Sequence, residues 1–152
     1  MANACPITGL RKILLATDGS EYSEAALREA VSIAKVCKTK LYALSVIEVN
    51  PEYATLAPQI VEKAEVETRQ LMESVKDCAK KEGVDCEIII HEGEDPAHFI
   101  IEEAGKQKID MIVMGKHGRR KSVRKLLIGS VTEKVLAHAP CKVLVVPVEK
   151  KK

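Results

Sequence analysis

The feature that most constrains the fold is an alternation of short apolar runs with longer helical stretches. Five runs have the length and composition of buried strands, at 11–17, 40–49, 84–91, 109–114 and 141–148. Apolar runs this short are typical of strands that are covered on both faces. Strands that alternate with helices favour a parallel sheet with helices on both faces. The sequence therefore predicts an open α/β fold with five parallel strands.

The connecting stretches carry signals for helix starts and stops. Ser20 is suited to cap a first helix, whose apolar residues share one face as far as Cys37. Gly83 is placed to stop a long second helix, and Asp95-Pro96 has the form of an N-cap and a first helical residue. The predicted helices cover about 20–37, 58–82, 95–107 and 130–139, while 50–57 is predicted to be a loop.

Length and charge exclude several classes of protein. A chain of 152 residues fits one domain, predicted here as 1–148 with a charged tail at 149–152. Lys and Arg total 24 against 22 for Asp and Glu, so no overall charge attracts nucleic acid. No apolar run approaches the ~20 residues of a membrane helix, and no secretory signal is recognisable at the N-terminus. We expect a cytoplasmic protein without a membrane span.

Cysteine and histidine show no metal-binding pattern. The five cysteines are odd in number and widely spaced, with no CxxC, which argues against a disulfide framework or a zinc site. We expect reduced, mostly buried thiols. An excess of Lys and Glu over Gln and Asn is a weak sign of a thermophile, in which intracellular disulfides do occur. The four histidines are scattered without ligand spacing, so no protein metal site is predicted.

Two loops follow strand ends in this scheme, and both suit phosphate. They are Thr17-Asp18-Gly19-Ser20 and the segment MGKHGRRKSVRKLLIGS at 114–130. Ligands of open α/β sheets bind at the carboxyl ends of the strands. In the second loop, glycines allow close backbone approach, and the helix that starts at Gly129-Ser130 offers free N–H groups. The spacing is neither GxxxxGK[ST] nor GxGxxG, and glycines alone are equally compatible with ordinary turns.

The basic run within this loop has three interpretations. It could form the rim of a phosphate site, an ordinary solvated surface or a nucleic-acid patch. No aromatic residue lies in the run to stack on bases, so nucleic acid ranks last. His117 lies between two glycines, where it is either a surface residue or a contact to phosphate or metal. The basic residues are Arg119, Arg120, Lys121, Arg124 and Lys125.

Both ends of the chain resemble one family. KILLATDGSEYSEAALREA at 12–30 and MIVMGKHGRRKSVRKLLIGSVTEKVLAHAPCKVLVVP at 111–147 resemble the opening and closing halves of universal stress proteins. The resemblance implies an open Rossmann-like α/β fold with strand order 3-2-1-4-5. It also implies that ATP binds at the switch point between strands one and four, as it does in many members.

The resemblance also implies which residues contact the nucleotide. Asp18 matches an acidic residue beside the nucleotide, Val46 a residue that contacts adenine through its backbone, and Gly118 a phosphate-binding position. The family pattern has nine residues between its second and third glycines, whereas ten separate Gly118 from Gly129 here; we expect the loop to absorb the extra one. The predicted ligand contacts, including His117, are Ala16, Thr17, Asp18, Val46, Met114, Gly115, His117, Gly118, Gly129, Ser130, Val131 and Thr132.

The functional expectation is a bound ligand rather than a substrate. ATP, with Mg²⁺ held by its phosphates, would act as a ligand or slow switch in a stress response, with a protein partner that the sequence does not identify. No residue at recognisable spacing supplies a catalytic base, so a slow ATPase is the less favoured alternative. A scaffold that binds no nucleotide is the other alternative. The last strand, Val143–Val146, is an edge in the implied order, which predicts a homodimer through that edge.

Overall fold

The protein is described by a computed structural model that covers residues 4–118 and 128–148. Strands and helices alternate along the chain, with one additional short helix after the second strand. The strands are β1 (Lys12–Ala16), β2 (Lys40–Glu48), β3 (Cys86–Gly93), β4 (Met111–Gly115) and β5 (Lys142–Val146). The helices are α1 (Glu21–Cys37), α2 (Pro51–Leu56), α3 (Pro58–Lys81), α4 (Pro96–Lys106) and α5 (Ser130–His138).

The strands form one sheet in the order β3-β2-β1-β4-β5, with every neighbouring pair parallel. Leu14 at the centre of β1 pairs with Tyr42 of β2 on one side and with Ile112 of β4 on the other. The predicted fold class and strand order are confirmed. The order reverses between β1 and β4, and at such a point the loops that leave the two strands diverge and leave a crevice.

Two hydrophobic cores lie on opposite faces of the sheet. Ile13 and Leu15 of β1 contribute to the core shared with α1 and α3, whereas Leu14 contributes to the core shared with α4 and α5. All three side chains are fully buried. Alternate side chains of a strand point to opposite faces, so a strand covered by helices on both sides must be apolar throughout. This is why β1 has the continuous sequence KILLA.

Several predicted helix boundaries are confirmed. The Ser20 hydroxyl accepts a 3.2 Å hydrogen bond from the Ser23 N–H and caps α1. Gly83 follows the end of α3 with φ of 73°, a left-handed conformation that glycine adopts without strain. In α3, however, the buried residues Met72, Val75 and Ala79 all lie in the C-terminal half, whereas Ile60 near the N-terminus is 62% exposed.

The prediction of a loop at 50–57 is wrong, because this stretch contains α2. The Asn50 side chain caps the helix by accepting a 2.8 Å bond from the Glu52 N–H, and Pro51 occupies the first turn. No residue of α2 is buried. The helix therefore lacks the apolar periodicity by which it would be recognised, although its capping residues are present in the sequence.

The prediction that all cysteines are reduced is also wrong. Cys5 and Cys37 form a disulfide across a sequence separation of 32 residues, with their Cα atoms 4.6 Å apart. Their spacing gives no sign of this pair, because it depends on the N-terminal segment returning to the end of α1. The other cysteines in the described chain, Cys78, Cys86 and Cys141, are free. No described helix is long and apolar enough to cross a membrane.

Candidate functional site

The turn between β1 and α1 is fixed by backbone and side-chain hydrogen bonds. The Thr17 N–H donates to the Leu44 carbonyl at 2.9 Å, which keeps Thr17 at the end of the sheet. Asp18 Oδ1 accepts from the Ser20 N–H at 2.9 Å, and Gly19 has φ of 80°. Asp followed by glycine is suited to such a turn, because the carboxylate bonds the backbone two residues on and glycine tolerates positive φ. The turn holds Asp18 half-buried at the sheet edge.

The end of β4 packs directly on the first turn of α1. A Cβ added at Gly115 would lie 2.7 Å from the Tyr22 Cβ and 2.9 Å from the Tyr22 carbonyl carbon. Both distances are shorter than real carbon contacts, so only glycine fits at this position. This contact has no local signal in the sequence, because 92 residues separate Tyr22 from Gly115.

The two ends of the loop after β4 meet at its base. The Gly129 N–H donates to the Lys116 carbonyl at 2.9 Å, while the Lys116 N–H donates to the Val146 carbonyl at 3.0 Å. A Cβ at Gly129 would lie 3.2 Å from the Cα of His117 and 3.6 Å from the backbone nitrogen of Gly118. Gly118 and Gly129 therefore lie close together, despite the ten residues between them.

The start of α5 is held to the end of β4 by a buried hydrogen bond. Thr132, which is 2% exposed, donates from Oγ1 to the carbonyl of Gly115 at 2.9 Å. Gly129 occupies the N-cap position and has no side chain to bond the first N–H groups, while Ser130 is exposed. The leading N–H groups of a helix have no partner within it, and the helix dipole adds positive charge there. This end of α5 is suited to an anion.

The two loops converge through Asp18 and Gly118. A Cβ placed on Gly118 would lie 2.9 Å from Asp18 Oδ2, so the carboxylate faces the bare backbone of the glycine. His117 is half-buried beside it, and its ring meets Tyr22 edge to face with centroids 5.1 Å apart. A carboxylate, a helix N-terminus and exposed glycine backbone thus share one edge. The helix N-terminus and the glycine backbone can bind phosphate oxygens directly, and the carboxylate can bind a divalent cation that arrives with them.

The remaining predicted residues line the edge from the side of α4 and α5. They are all apolar and pack in or against the core on that face. Met114 is 4% exposed, and the other three are partly buried. Such residues can offer backbone groups and apolar surface to a flat ring, but not charge. These residues are Ala16, Val46, Met114 and Val131.

Part of the predicted site lies outside the described residues. Segment 119–127 contains all five residues of the basic run and most of the interval between Gly118 and Gly129. The predicted rim and the fate of the extra residue therefore stay predictions. Within 4–118 and 128–148, no three His, Cys, Asp or Glu side chains are grouped closely enough to hold a metal ion.

Comparison with known proteins gives a single family. The family model described as "Universal stress protein family" matches residues 9–147. A universal stress protein of Methanocaldococcus jannaschii is 38% identical over 145 residues, covering 93% of this chain and 84% of the relative.

Solved structures agree with this match. The universal stress protein UspA from Lactobacillus plantarum has a TM-score of 0.80 at 28% identity, covering 90% of this chain and 97% of its own. A universal stress protein in complex with cAMP has a TM-score of 0.68 at 27% identity, covering 91% and 97%. The similarity in these structures spans nearly the whole of both chains.

Proposed function

The chain belongs to the universal stress protein family, and on that premise we propose that it binds ATP at the neighbouring carboxyl ends of β1 and β4. The nucleotide acts as a ligand or slow switch in a stress-response or regulatory role in the cytoplasm. The observation that carries the proposal is the convergence of Asp18, Gly118 and the Gly129 N-cap of α5 at these strand ends.

Phosphate recognition rests on backbone rather than on side chains. A Cβ added at Gly129 would lie 3.6 Å from the Gly118 nitrogen. Any residue larger than glycine would therefore fill the space between the two loop ends. A phosphate needs this bare backbone to approach the N–H groups closely. Mg²⁺, held mainly by the phosphates, would be the partner of the Asp18 carboxylate, which otherwise faces an anion of its own sign.

An adenine nucleotide is favoured over a simple phosphate by the apolar neighbours of the site. Val46 and Met114 belong to the strands on either side of β1 and pack on the same face of the sheet. Their position suits a base lying across the sheet edge. The relative solved with cAMP supports an adenine nucleotide as the class of ligand. In the sequence, the basic run at 119–125 favours the triphosphate, because its five Lys and Arg residues match the greater negative charge of that ligand.

Asp18 is proposed as a binding residue rather than a catalytic base. Its Oδ1 accepts the Ser20 N–H at 2.9 Å, a bond that builds the turn and occupies one carboxylate oxygen. A general base must be free to take a proton from the attacking water. The two alternatives to this proposal are a slow ATPase and a scaffold protein that binds no nucleotide.

Thermal melting with and without Mg-ATP tests the proposal. Ligand at 100 times its Kd should stabilise the fold by about 2.7 kcal/mol. Gly118→Val should abolish the shift, because its Cβ would meet Asp18 Oδ2 at 2.9 Å, whereas Gly105→Ala, with open space around it, should retain the shift. No shift in the wild type at millimolar ATP contradicts the proposal. Phosphate release over hours that is lost in Asp18→Ala would favour the slow ATPase.

A homodimer through β5 is the second part of the proposal. In the described sheet β5 is an edge strand, and four of its five residues are only partly buried. The Val146 carbonyl points toward the β4 side, where it accepts the Lys116 N–H. The N–H of Val145 therefore points to the open edge, since successive residues of a strand alternate in direction. Pairing with a second copy would satisfy it.

Proline at this position provides the test. Val145→Pro removes the outward N–H and should shift the protein toward monomer in light scattering after size exclusion. Val145→Ala retains the N–H and should leave the dimer in place. A dimer that persists in the proline variant places the interface elsewhere, and a wild-type monomer at all concentrations rules out a dimer.

A further inference from the structure

The N-terminal segment 4–10 is fastened to the fold chiefly by one covalent bond. The Cys5–Cys37 disulfide joins it to the last residue of α1. Cys5 and Ile7 pack against the core shared with α1 and α3, and Leu10 is 8% exposed within it. Residues 4–9 make no backbone hydrogen bond to any other described residue. The disulfide and this apolar packing therefore hold the segment.

The chain beyond the segment is anchored independently of the disulfide. The backbone N–H groups of Arg11 and Lys12 both donate to Asp110 Oδ2, at 3.0 and 2.9 Å. Strand β1 begins at Lys12 and is paired on both sides. Opening the disulfide would therefore leave the segment held by its apolar packing alone and would leave the sheet intact.

The disulfide lies far from the proposed nucleotide site. Helix α1 starts at Glu21, beside that site, and ends at Cys37 after 17 residues. A helix of this length spans about 25 Å at 1.5 Å per residue. The disulfide and the proposed nucleotide site thus lie at opposite ends of α1. This helix stays packed on the core through Ala26, Ala30 and Ala34.

We propose that Cys5 and Cys37 form a thiol–disulfide exchange site through which low-molecular-weight thiols control the release of segment 4–10. In the exchange, a thiolate attacks one sulfur and the S–S bond breaks. A second thiol then displaces the protein from the mixed disulfide. The cysteines gain two electrons and two protons and become thiols, while the two external thiols are oxidised to one disulfide. The reverse reaction with an external disulfide fastens the segment again.

Two of the free cysteines in the described chain, Cys86 and Cys141, are less suited to this chemistry. Burial raises the pKa of the Cys86 thiol to about 11, and burial also raises the pKa of Cys141. The thiolate is the reactive form, so these groups exchange slowly near neutral pH. The disulfide instead joins two half-buried residues. The reversible step therefore centres on the Cys5–Cys37 pair.

Mass spectrometry and limited proteolysis of the full-length protein test the proposal. After incubation with glutathione disulfide, the intact mass should be two hydrogens lower than after dithiothreitol, and peptide mapping should link Cys5 to Cys37. In the reduced protein, chymotrypsin should cut after Leu10 much faster, while β1 stays uncut. Closing a loop of this size predicts that reduction lowers the melting temperature by on the order of 10 °C.

Single serine variants separate the pair from the other thiols. Cys5→Ser and Cys37→Ser should each behave as the reduced wild type under all conditions, whereas Cys141→Ser should retain the full response. Reduced and oxidised wild-type proteins with equal melting temperature and equal rates of cleavage after Leu10 would overturn the proposal. So would failure of glutathione disulfide to join Cys5 to Cys37, which is read by mass and needs no stable variant.

Discussion

The Thr132 hydroxyl donates a 2.9 Å hydrogen bond to the carbonyl of Gly115, with both residues buried. This bond joins the first turn of α5 to the last residue of β4. Gly129, the N-cap of the same helix, packs against the backbone of His117 and Gly118. The orientation of the α5 N-terminus at the proposed site therefore depends on the Thr132 side chain, which need not contact the ligand.

Thr132→Val should loosen this junction. Valine fills the same space but leaves the Gly115 carbonyl without its donor, which costs about 1–3 kcal/mol in a buried setting. We expect this loss of unfolding free energy in urea titrations, together with weaker Mg-ATP binding. Thr55→Val removes a hydroxyl that donates at 3.1 Å to the Pro51 carbonyl on the exposed surface of α2, and should change both quantities little. Equal effects of the two variants would contradict this role of Thr132.

Gly115→Ala should separate β4 from the first turn of α1. The new Cβ would meet the Tyr22 Cβ at 2.7 Å and its carbonyl carbon at 2.9 Å, and the latter is backbone that cannot rotate away. Overpacking of this kind costs about 1–3 kcal/mol, so we expect a lower melting temperature and weaker nucleotide binding. Gly105→Ala in α4 meets nothing within 4 Å and should stabilise the fold by about 0.5–1 kcal/mol. A neutral Gly115→Ala would show that Tyr22 yields easily.

Features encoded by local pattern were predictable, and features made by distant contacts were not. The run KILLA identifies a strand buried on both faces, and Ser20 and Gly129-Ser130 mark helix starts because capping depends on adjacent residues. The family resemblance supplied the strand order. Helix α2 was missed because none of its residues is buried, so it has no apolar period to detect.

The site itself divides in the same way. Asp18 and Gly118 were proposed as ligand contacts from the family resemblance, and their convergence depends on β1 and β4 being neighbours in the sheet. The packing of Tyr22 on Gly115 and the disulfide of Cys5 with Cys37 involve residues far apart in sequence. Neither type of contact leaves a signal in a single sequence, because each partner is locally unremarkable.

His91→Ala should destabilise the outer edge at β3. His91 Nε2 lies 2.9 Å from Oε1 of Glu103, whose side chain is 7% exposed and whose Oε2 accepts from Gln107 at 3.3 Å. Removing the imidazole leaves the buried Glu103 carboxylate with one amide partner. It also uncovers the Phe99 ring, whose centroid lies 4.9 Å from that of the His91 ring stacked on it. We expect a loss of about 1–3 kcal/mol in urea unfolding, less than for a fully buried pair because His91 is partly exposed.

A matched pair in α4 provides the control for this prediction. His98 Nε2 lies at the same 2.9 Å from Glu102 Oε2, but the two side chains are 64% and 63% exposed. Exposed pairs of this kind contribute little, so His98→Ala should change the unfolding free energy by less than about 0.5 kcal/mol. Losses of equal size at the two positions would mean that burial of Glu103 does not govern the effect.

Cys86 should make the fold sensitive to alkali. Burial in β3 raises the pKa of its thiol from 9.0 to about 11. The stabilising contribution of the protonated thiol is fully present below pH 9. Between pH 9 and 11 the unfolded chain has lost this proton while the folded chain retains it, so the free energy of unfolding falls as pH rises. The loss attributable to this residue is on the order of 2 kcal/mol by pH 11.

Cys86→Ala should remove this part of the alkaline slope. The variant is expected to be less stable than wild type at pH 8, since it creates a small cavity, but its stability should decline less steeply between pH 9 and 11. Circular dichroism in urea at a series of pH values measures both slopes. Val84→Ala, at a buried position next to β3 without a titratable group, should retain the wild-type slope. Parallel curves for wild type and Cys86→Ala would show that the Cys86 thiol ionises alike in the folded and unfolded chains.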